Sequence, residues 1–279
     1  MKLKFTKMQG CGNDYIYIDC FEQNVSEPEK LAVKLSDRHF SVGGDGVILI
    51  CPSDKADCKM RMFNLDGSEG NMCGNGIRCV AKYMYERRGL RKENITVETK
   101  SGIKQLKTDA DKDKVLLVTV DMGKPKFDCE SVPVIADKKE MLDEKITVNN
   151  IDYKVTCVSM GNPHCVIFCD DIENIDVCGI GDSIAESGIF PNGVNFEFVT
   201  VTDGYNMKMR VCERGSGETL ACGTGACAAV SAAVKLGCVP QNRKIKVELL
   251  GGELYVTSTD STVTMAGGAE IAFDGEVEI

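Results

Sequence analysis

The sequence predicts a mixed α/β (α+β) chain built from two pseudo-symmetric copies of one strand-rich unit. Three observations carry this expectation. First, Met72-Cys73-Gly74-Asn75-Gly76 and Ala221-Cys222-Gly223-Thr224-Gly225 are versions of one segment, set 149 positions apart. Second, the offset extends without gaps. Lys59-Met60-Arg61 maps onto Lys208-Met209-Arg210, Glu69 onto Glu218, Gly12-Asn13 onto Gly161-Asn162, and Gly44 onto Gly193. From 59 to 76, seven of eighteen residues equal their partners, where unrelated segments would match at about one. Third, each copy reads as several strands around one principal helix, and that helix follows the glycine-flanked cysteine.

In chain order, Leu3 to Asp19 alternates and turns at Gln9 to Asn13, which predicts two strands joined by a loop. Pro28 to Arg38 has helical spacing through Leu31 and Leu35, with proline near its start. Gly43 to Gly46 is a turn ahead of a buried strand at Val47 to Ile50, and Lys59 to Asn64 is another strand. Ile77, Val80, Ala81 and Met84 form one apolar helical face, which Gly89 ends. Strands follow at Ile95 to Lys107 and Val115 to Met122. The plan restarts after Gly123-Lys-Pro, with strands at Lys154 to Val158, Cys165 to Cys169, Val194 to Val201 and Lys208 to Val211. A helix from about Gly225 to Leu236 and strands to the C-terminus complete it. The expected domains are therefore 1–122 and 123–266.

Composition narrows the function classes. Hydrophobic residues are 43% and charged residues 27%, ordinary for a globular protein. The chain lacks an apolar run of roughly 18 residues and an apolar leader, so no membrane association and a cytoplasmic location are expected. A net charge of −9 and a pI near 5.0 argue against nucleic acid as a partner. Fifteen cysteines with two histidines, in no metal-ligand spacing, predict reduced thiols used as packing residues, with neither a disulfide framework nor a metal.

Cys73 and Cys222 stand apart by their glycine context. A cysteine at a helix N-terminus meets the positive end of the macrodipole and free N–H groups, which favour thiolate. The flanking glycines let the backbone approach an anion. Two such helix starts suit a proton transfer across both faces of one carbon: a thiolate removes the α-proton of an amino acid, and a thiol returns one from the other side. Hydrolysis by a cysteine nucleophile is poorly served, since only His39 and His164 could act as base.

Asp66-Gly-Ser-Glu-Gly-Asn-Met-Cys-Gly-Asn-Gly-Ile-Arg-Cys and Glu213-Arg-Gly-Ser-Gly-Glu-Thr-Leu-Ala-Cys-Gly-Thr-Gly resemble the two signature segments of the diaminopimelate epimerase family. Phe5 to Tyr15, Arg38 to Gly46, Gly161-Asn-Pro-His and Gly193-Val-Asn-Phe resemble its other blocks, so the likeness covers essentially the whole chain. The resemblance implies two α/β domains, each a barrel-like, mostly antiparallel sheet around a central helix, with the site in the cleft between them. The strand 267–279 is expected to complete the first domain. It further implies a homodimer, a small-molecule substrate, no cofactor, and interconversion of LL- and meso-2,6-diaminopimelate for lysine and peptidoglycan synthesis. Cys73 and Cys222 become the acid/base thiols, with His164 and Glu213 near the reacting amino group. Gly74-Asn75 and Gly223-Thr224 hold the reacting carboxylate, and Asn13, Asn64, Asn162, Asn195, Glu213 and Arg214 line the substrate pocket. Gly46 stands where some relatives carry a polar side chain and is given no contact.

Plainer readings stand beside these. Asn13 and Asn162 follow glycine and read equally as turn residues. Glu213–Arg214 has the form of a surface pair, and a single histidine such as His164 is more often structural. Asn195 lies within an apolar strand, where its amide needs a partner in the protein or a ligand. Two other enzymes and one non-enzyme compete. A proline or hydroxyproline racemase typically has histidine where this chain has Asn75, and the phenazine-synthesis isomerases lack the paired cysteines. A non-catalytic amino-acid-binding protein would need neither thiol.

Overall fold

The computed structural model describes residues 2–279, in 18 strands and four helices. Two compact units emerge, residues 1–121 with 266–279 and residues 122–265. The first unit begins with β1 (Lys2–Gly10) and β2 (Asn13–Asp19), an antiparallel pair whose turn is made by Cys11 and Gly12, both at positive φ. Helix α1 (Pro28–Ser36) starts on its proline and buries Leu31 and Leu35. Then come β3 (Gly46–Cys51), β4 (Cys58–Asn64), the two-residue β5 (Glu69–Gly70), α2 (Gly74–Glu86), β6 (Asn94–Thr99), β7 (Gly102–Asp111) and β8 (Lys114–Gly123). β2 runs parallel to β3 and β4 parallel to β6, while the β3–β4, β4–β5, β6–β7 and β7–β8 pairs are antiparallel.

The second unit opens with β9 (Glu144–Val148), β10 (Ile151–Ser159), β11 (Pro163–Phe168) and α3 (Val177–Glu186). It continues with β12 (Asn195–Asp203), β13 (Asn206–Glu213), β14 (Gly217–Thr219), α4 (Gly223–Lys235), β15 (Ile245–Leu249), β16 (Gly252–Ser258) and β17 (Val263–Gly267). The last strand, β18 (Glu270–Glu278), belongs to the first unit and pairs antiparallel with β1. The duplication holds at the level of register. Tyr15 pairs Gly46 between β2 and β3, and His164 pairs Asn195 between β11 and β12, each 149 positions on. The same connections recur: β11 is parallel to β12, and β13 to β15.

Each unit packs its sheet around one 13-residue helix. In α2, Ile77, Val80, Ala81 and Met84 are all buried, as their spacing predicts. In α4 the buried surface is mainly alanine, which lets neighbouring strands approach closely. A matched ion pair ties the strand before each cysteine to the longer strand beside it. Arg61 Nε lies 2.8 Å from Glu69 Oε1, and Arg210 Nε lies 2.7 Å from Glu218 Oε1.

Several features depart from the sequence reading, strand β9 among them. Helix α3 was not foreseen, because Gly179 and Gly181 weaken its helical signal. Asp176 caps it by accepting from Gly179 N, and a Cβ at Gly181 would come within 2.8 Å of the Phe196 ring. The short β5 and β14 carry too few residues to show a period. Cys178 and Cys212, read as separate packing thiols, form a disulfide between α3 and β13. Their spacing in sequence gives no sign that the fold brings them together.

Arg78 is the largest fully buried side chain. Its guanidinium donates to Gly74 O at 3.1 Å, Asn75 Oδ1 at 2.9 Å and Gly268 O at 3.2 Å, so it fastens the start of α2 to the lead-in of β18. Replacing it with methionine strands those acceptors in the core. We expect Arg78→Met to lower unfolding free energy by roughly 3 kcal/mol or more, measured by urea denaturation. A midpoint equal to that of the unaltered protein would contradict this role.

Candidate active site

Both cysteines cap their helices. Cys73 is the N-cap of α2 and accepts from Gly76 N at 3.4 Å; Cys222 is the N-cap of α4 and accepts from Gly225 N at the same 3.4 Å. The cap geometry explains the third glycine of each segment. A Cβ at Gly76 would lie 2.7 Å from Ile48 Cδ1, and one at Gly225 would lie 2.7 Å from Glu197 Oε1. Glycine there allows the helix start to sit tight against the neighbouring strand.

In the first unit the Cys73 thiol donates to Asn13 Oδ1 at 3.3 Å. Asn13 in turn donates from Nδ2 to Asp45 Oδ2 at 2.7 Å, and Arg38 holds Asp45 at 2.9 Å. Asn75 is buried, with its side-chain oxygen accepting from Arg78. Asn64 Nδ2 donates to Ser68 Oγ within the turn that precedes β5. The structure therefore brings Asn13 and the α2 start to Cys73, and gives Asn64 a local partner.

The second unit is more heavily wired. Cys222 Sγ is 3.4 Å from Thr224 Oγ1, which accepts from Asn162 Nδ2 at 3.2 Å. Asn162 Oδ1 is 3.1 Å from His164 Nε2, and His164 Nδ1 is 2.7 Å from Glu197 Oε1. His164 and Glu197 are both completely buried. Asn195 finds its partner inside the protein, accepting from Arg214 N at 2.9 Å. The Arg214 guanidinium donates to Asn192 O at 2.6 Å, and the aliphatic stem lies over Gly193, whose added Cβ would meet Arg214 Cδ at 2.7 Å. Glu213 accepts from Thr219 Oγ1 at 2.5 Å.

The expected lowering of the thiol pKa is not what Cys222 shows. Burial pushes its thiol well up, and negative charge on Glu213, and on Glu197 wherever it is ionised, pushes the same way. Hydrogen bonds from Thr224 and Gly225 oppose the rise without cancelling it. Glu197 is itself held above the usual carboxylate range, chiefly by burial, with His164 pulling against the shift.

Two groups escaped the sequence reading. Glu197 sits in an apolar strand, the same signal that marked Asn195 two positions earlier. Asp45 lies in a segment read as a glycine turn and a family-like block, with no role given to its carboxylate.

Two helix-capping cysteines, one in each copy of a duplicated α/β unit, are the arrangement that the resemblance in sequence tied to the two-cysteine amino-acid epimerases and racemases, a class of isomerases. Comparison with known proteins narrows this. The family model for diaminopimelate epimerase matches residues 5–128 and 156–272. A diaminopimelate epimerase from a strain of Methanococcus maripaludis is 48% identical over 279 residues, covering 99% of this chain and 100% of the relative. One from Acetivibrio thermocellus is 49% identical, covering 99% of each. Among solved structures, a probable proline racemase from Agrobacterium radiobacter superposes with a TM-score of 0.75 at 13% identity, over 99% of this chain and 93% of that one, which shows the shared fold. The chain belongs to the diaminopimelate epimerase family.

The tight contact at the start of α4 sets an expectation. Gly225→Ala places a methyl 2.7 Å from Glu197 Oε1 and 3.2 Å from Cys222 Cβ. It should destabilise the fold by about 1–3 kcal/mol, read from urea midpoints. Gly268→Ala, which meets nothing within 4 Å, is the matched control and should change little.

Proposed function

We propose that the protein epimerises diaminopimelate at its α-carbon, with Cys73 and Cys222 as the two acid/base groups. The observation that carries this is the repeated cap: in each unit one cysteine sulfur sits at a glycine-lined helix start. On this reading the N–H groups at Gly74-Asn75 and Gly223-Thr224 hold the reacting carboxylate. Those donors gain strength as charge moves onto the carboxylate when the α-proton leaves. One sulfur, as thiolate, takes that proton, and the other, as thiol, delivers its own to the opposite face. The result is inversion with one proton taken up and one given, and no cofactor is called on. The next turnover in the same direction requires the two sulfurs to exchange protons with solvent.

The remaining assignments follow the chemistry of the substrate. Diaminopimelate carries an ammonium and a carboxylate at each end. Arg214 is the cation for the distal carboxylate, asparagine side-chain oxygens or backbone carbonyls accept from the distal ammonium, and Asn13, Asn64, Asn162 and Asn195 line the pocket. Glu213 and His164 stand beside the reacting amino group. A cytoplasmic homodimer in lysine and peptidoglycan-precursor synthesis completes the proposal, supported by the family likeness. Among the described residues no helix is long and apolar enough to cross a membrane.

Single variants Cys73→Ala and Cys222→Ala should each lose inversion by at least about a thousandfold while still binding diaminopimelate. Deuterium wash-in from the LL and meso isomers in heavy water is the measurement. Normal inversion by either variant would sink the two-thiol assignment. Absence of any α-proton exchange in the unaltered protein would favour a binding protein instead.

A further inference from the structure

The two half-sites share a backbone but differ in the groups behind each sulfur. The offset of 149 pairs Tyr15 with His164, Asp45 with Val194, Ile48 with Glu197 and Asn75 with Thr224. In the first unit the Asp45 carboxylate takes the amide N–H of Asn13, which leaves the amide oxygen facing Cys73. In the second unit Val194 offers no such acceptor, and the Asn162 amide is turned the other way. Its oxygen meets His164 Nε2 and its nitrogen meets Thr224. With Thr224 Oγ1 accepting from Asn162, the hydroxyl proton is left to point at Cys222 Sγ, 3.4 Å away.

Glu197 is the origin of this arrangement. Its Oε1 lies 2.7 Å from His164 Nδ1, and its Oε2 is one of two buried side-chain oxygens that make no hydrogen bond among the described residues. A fully buried oxygen without a partner is far cheaper as the carbonyl of a neutral carboxyl than as half of a carboxylate. The neutral carboxyl donates from Oε1 to Nδ1, and the imidazole then carries its single proton on Nε2, facing the Asn162 oxygen. The raised pKa of Glu197 agrees with this state.

We propose that Glu197 is a positioning residue which, through His164 and Asn162, turns the Thr224 hydroxyl into a donor to Cys222, whereas Cys73 faces an acceptor. The consequence is a division of labour that the duplicated backbone alone would not produce. Cys222 is supplied with a donor that favours its thiolate, and Cys73 with an acceptor that favours its thiol. This deepens the reading of the two cysteines as an acid/base pair and rests on it for its catalytic meaning. The hydrogen-bond relay itself does not.

The charged and titratable groups around the relay make the test directional. Cys222 on α4 faces Glu213 from β13 and Glu197 from β12, and Glu197 also faces His164 from β11. If Glu197 acted as a bare negative charge, removing it would lower the Cys222 pKa. If it acts through the relay, breaking the relay would raise it.

The experiment is alkylation of the whole protein by iodoacetamide across pH, read at the Cys222 and Cys73 peptides by mass spectrometry. Glu197→Ile installs the residue found at the equivalent place in the first unit, where Ile48 packs against Gly76 as closely as Glu197 packs against Gly225. It should move the Cys222 midpoint up by about one pH unit and leave Cys73 in place. Glu197→Gln keeps a donor to Nδ1 and should leave the Cys222 midpoint where it is. Both midpoints falling would show that Glu197 acts by charge, and both staying would show no coupling; either result overturns the proposal. Should Glu197→Ile fail to fold, His164→Phe breaks the same relay. An upward shift there supports the proposal, and an unchanged or lower midpoint overturns it. In diaminopimelate turnover, Glu197→Ile should lose at least about tenfold in kcat/KM, equally in both directions because the equilibrium constant is fixed. If the unaltered protein turned over no diaminopimelate, the proposed function would fail while the labelling result still judged the relay.

Discussion

The contact on which this architecture depends is the backbone N–H that reaches back to a cysteine sulfur at the first turn of a helix. Gly76 N and Gly225 N each meet their sulfur at 3.4 Å. A helix leaves its first N–H groups without intrahelical partners, and here sulfur is one of the partners that satisfies them. That use of the thiol fixes its position and brings constraints with it. The third residue must be glycine, since a Cβ would strike Ile48 in one unit and Glu197 in the other. The strand before the cysteine must be held, which the Arg61–Glu69 and Arg210–Glu218 pairs accomplish. The parallel pairing of β2 with β3, and of β11 with β12, then places Asn13 and Asn162 where their amides reach the helix start.

Burial and the helix start pull a thiol in opposite directions, and at Cys222 burial wins. Removing the sulfur from water and placing it near Glu213 outweighs the N–H of Gly225 and the hydroxyl of Thr224. This is compatible with proton abstraction from carbon, because a thiolate of higher pKa is the stronger base once formed. On the function proposed above, an ammonium beside Glu213 would offset the carboxylate that opposes ionisation. The thiolate would then be favoured when substrate is in place. A thiol held up by desolvation is also a poor target for adventitious oxidation, a useful property in a chain with fifteen cysteines.

Much of this was legible in the sequence, for identifiable reasons. An ungapped repeat carries its own statistics, so the duplicated unit and the two special cysteines stood out without structural knowledge. The amphipathic face of α2 has a clean period and every predicted residue is buried. What stayed hidden depends on contacts distant in sequence. Helix α3 is stabilised by the Asp176 cap and by glycines that admit Phe196, and neither shows in its hydrophobic pattern. The Cys178–Cys212 bond joins elements 34 residues apart that only the fold brings together. Glu197 was passed over because strand alternation assigns its position to the core. Its position is indeed in the core, and a carboxyl there was the signal.

The orientation of an asparagine amide shows why a motif can be read and its chemistry missed. Gly12-Asn13 and Gly161-Asn162 are identical as sequence, yet Asn13 turns its oxygen to the Cys73 sulfur while Asn162 turns its nitrogen to the Thr224 hydroxyl beside Cys222. Neither asparagine decides this. Asp45 decides it in one unit by accepting from Nδ2, and His164 decides it in the other by engaging Oδ1. An internal duplication begins with two identical half-sites, and two identical half-sites favour the same protonation state in both thiols. On the function proposed above, a proton transfer from one face to the other needs unlike states. On that reading the difference arises in residues behind the motif, because these cysteines, glycines and asparagines are common to both halves. The pairs Asp45/Val194, Tyr15/His164 and Ile48/Glu197 are among those that differ between the copies. Asp45 and His164 hold the asparagines, and Ile48 and Glu197 lie against the helix starts, so divergence at a few positions is enough to make one fold surround its thiol in two ways.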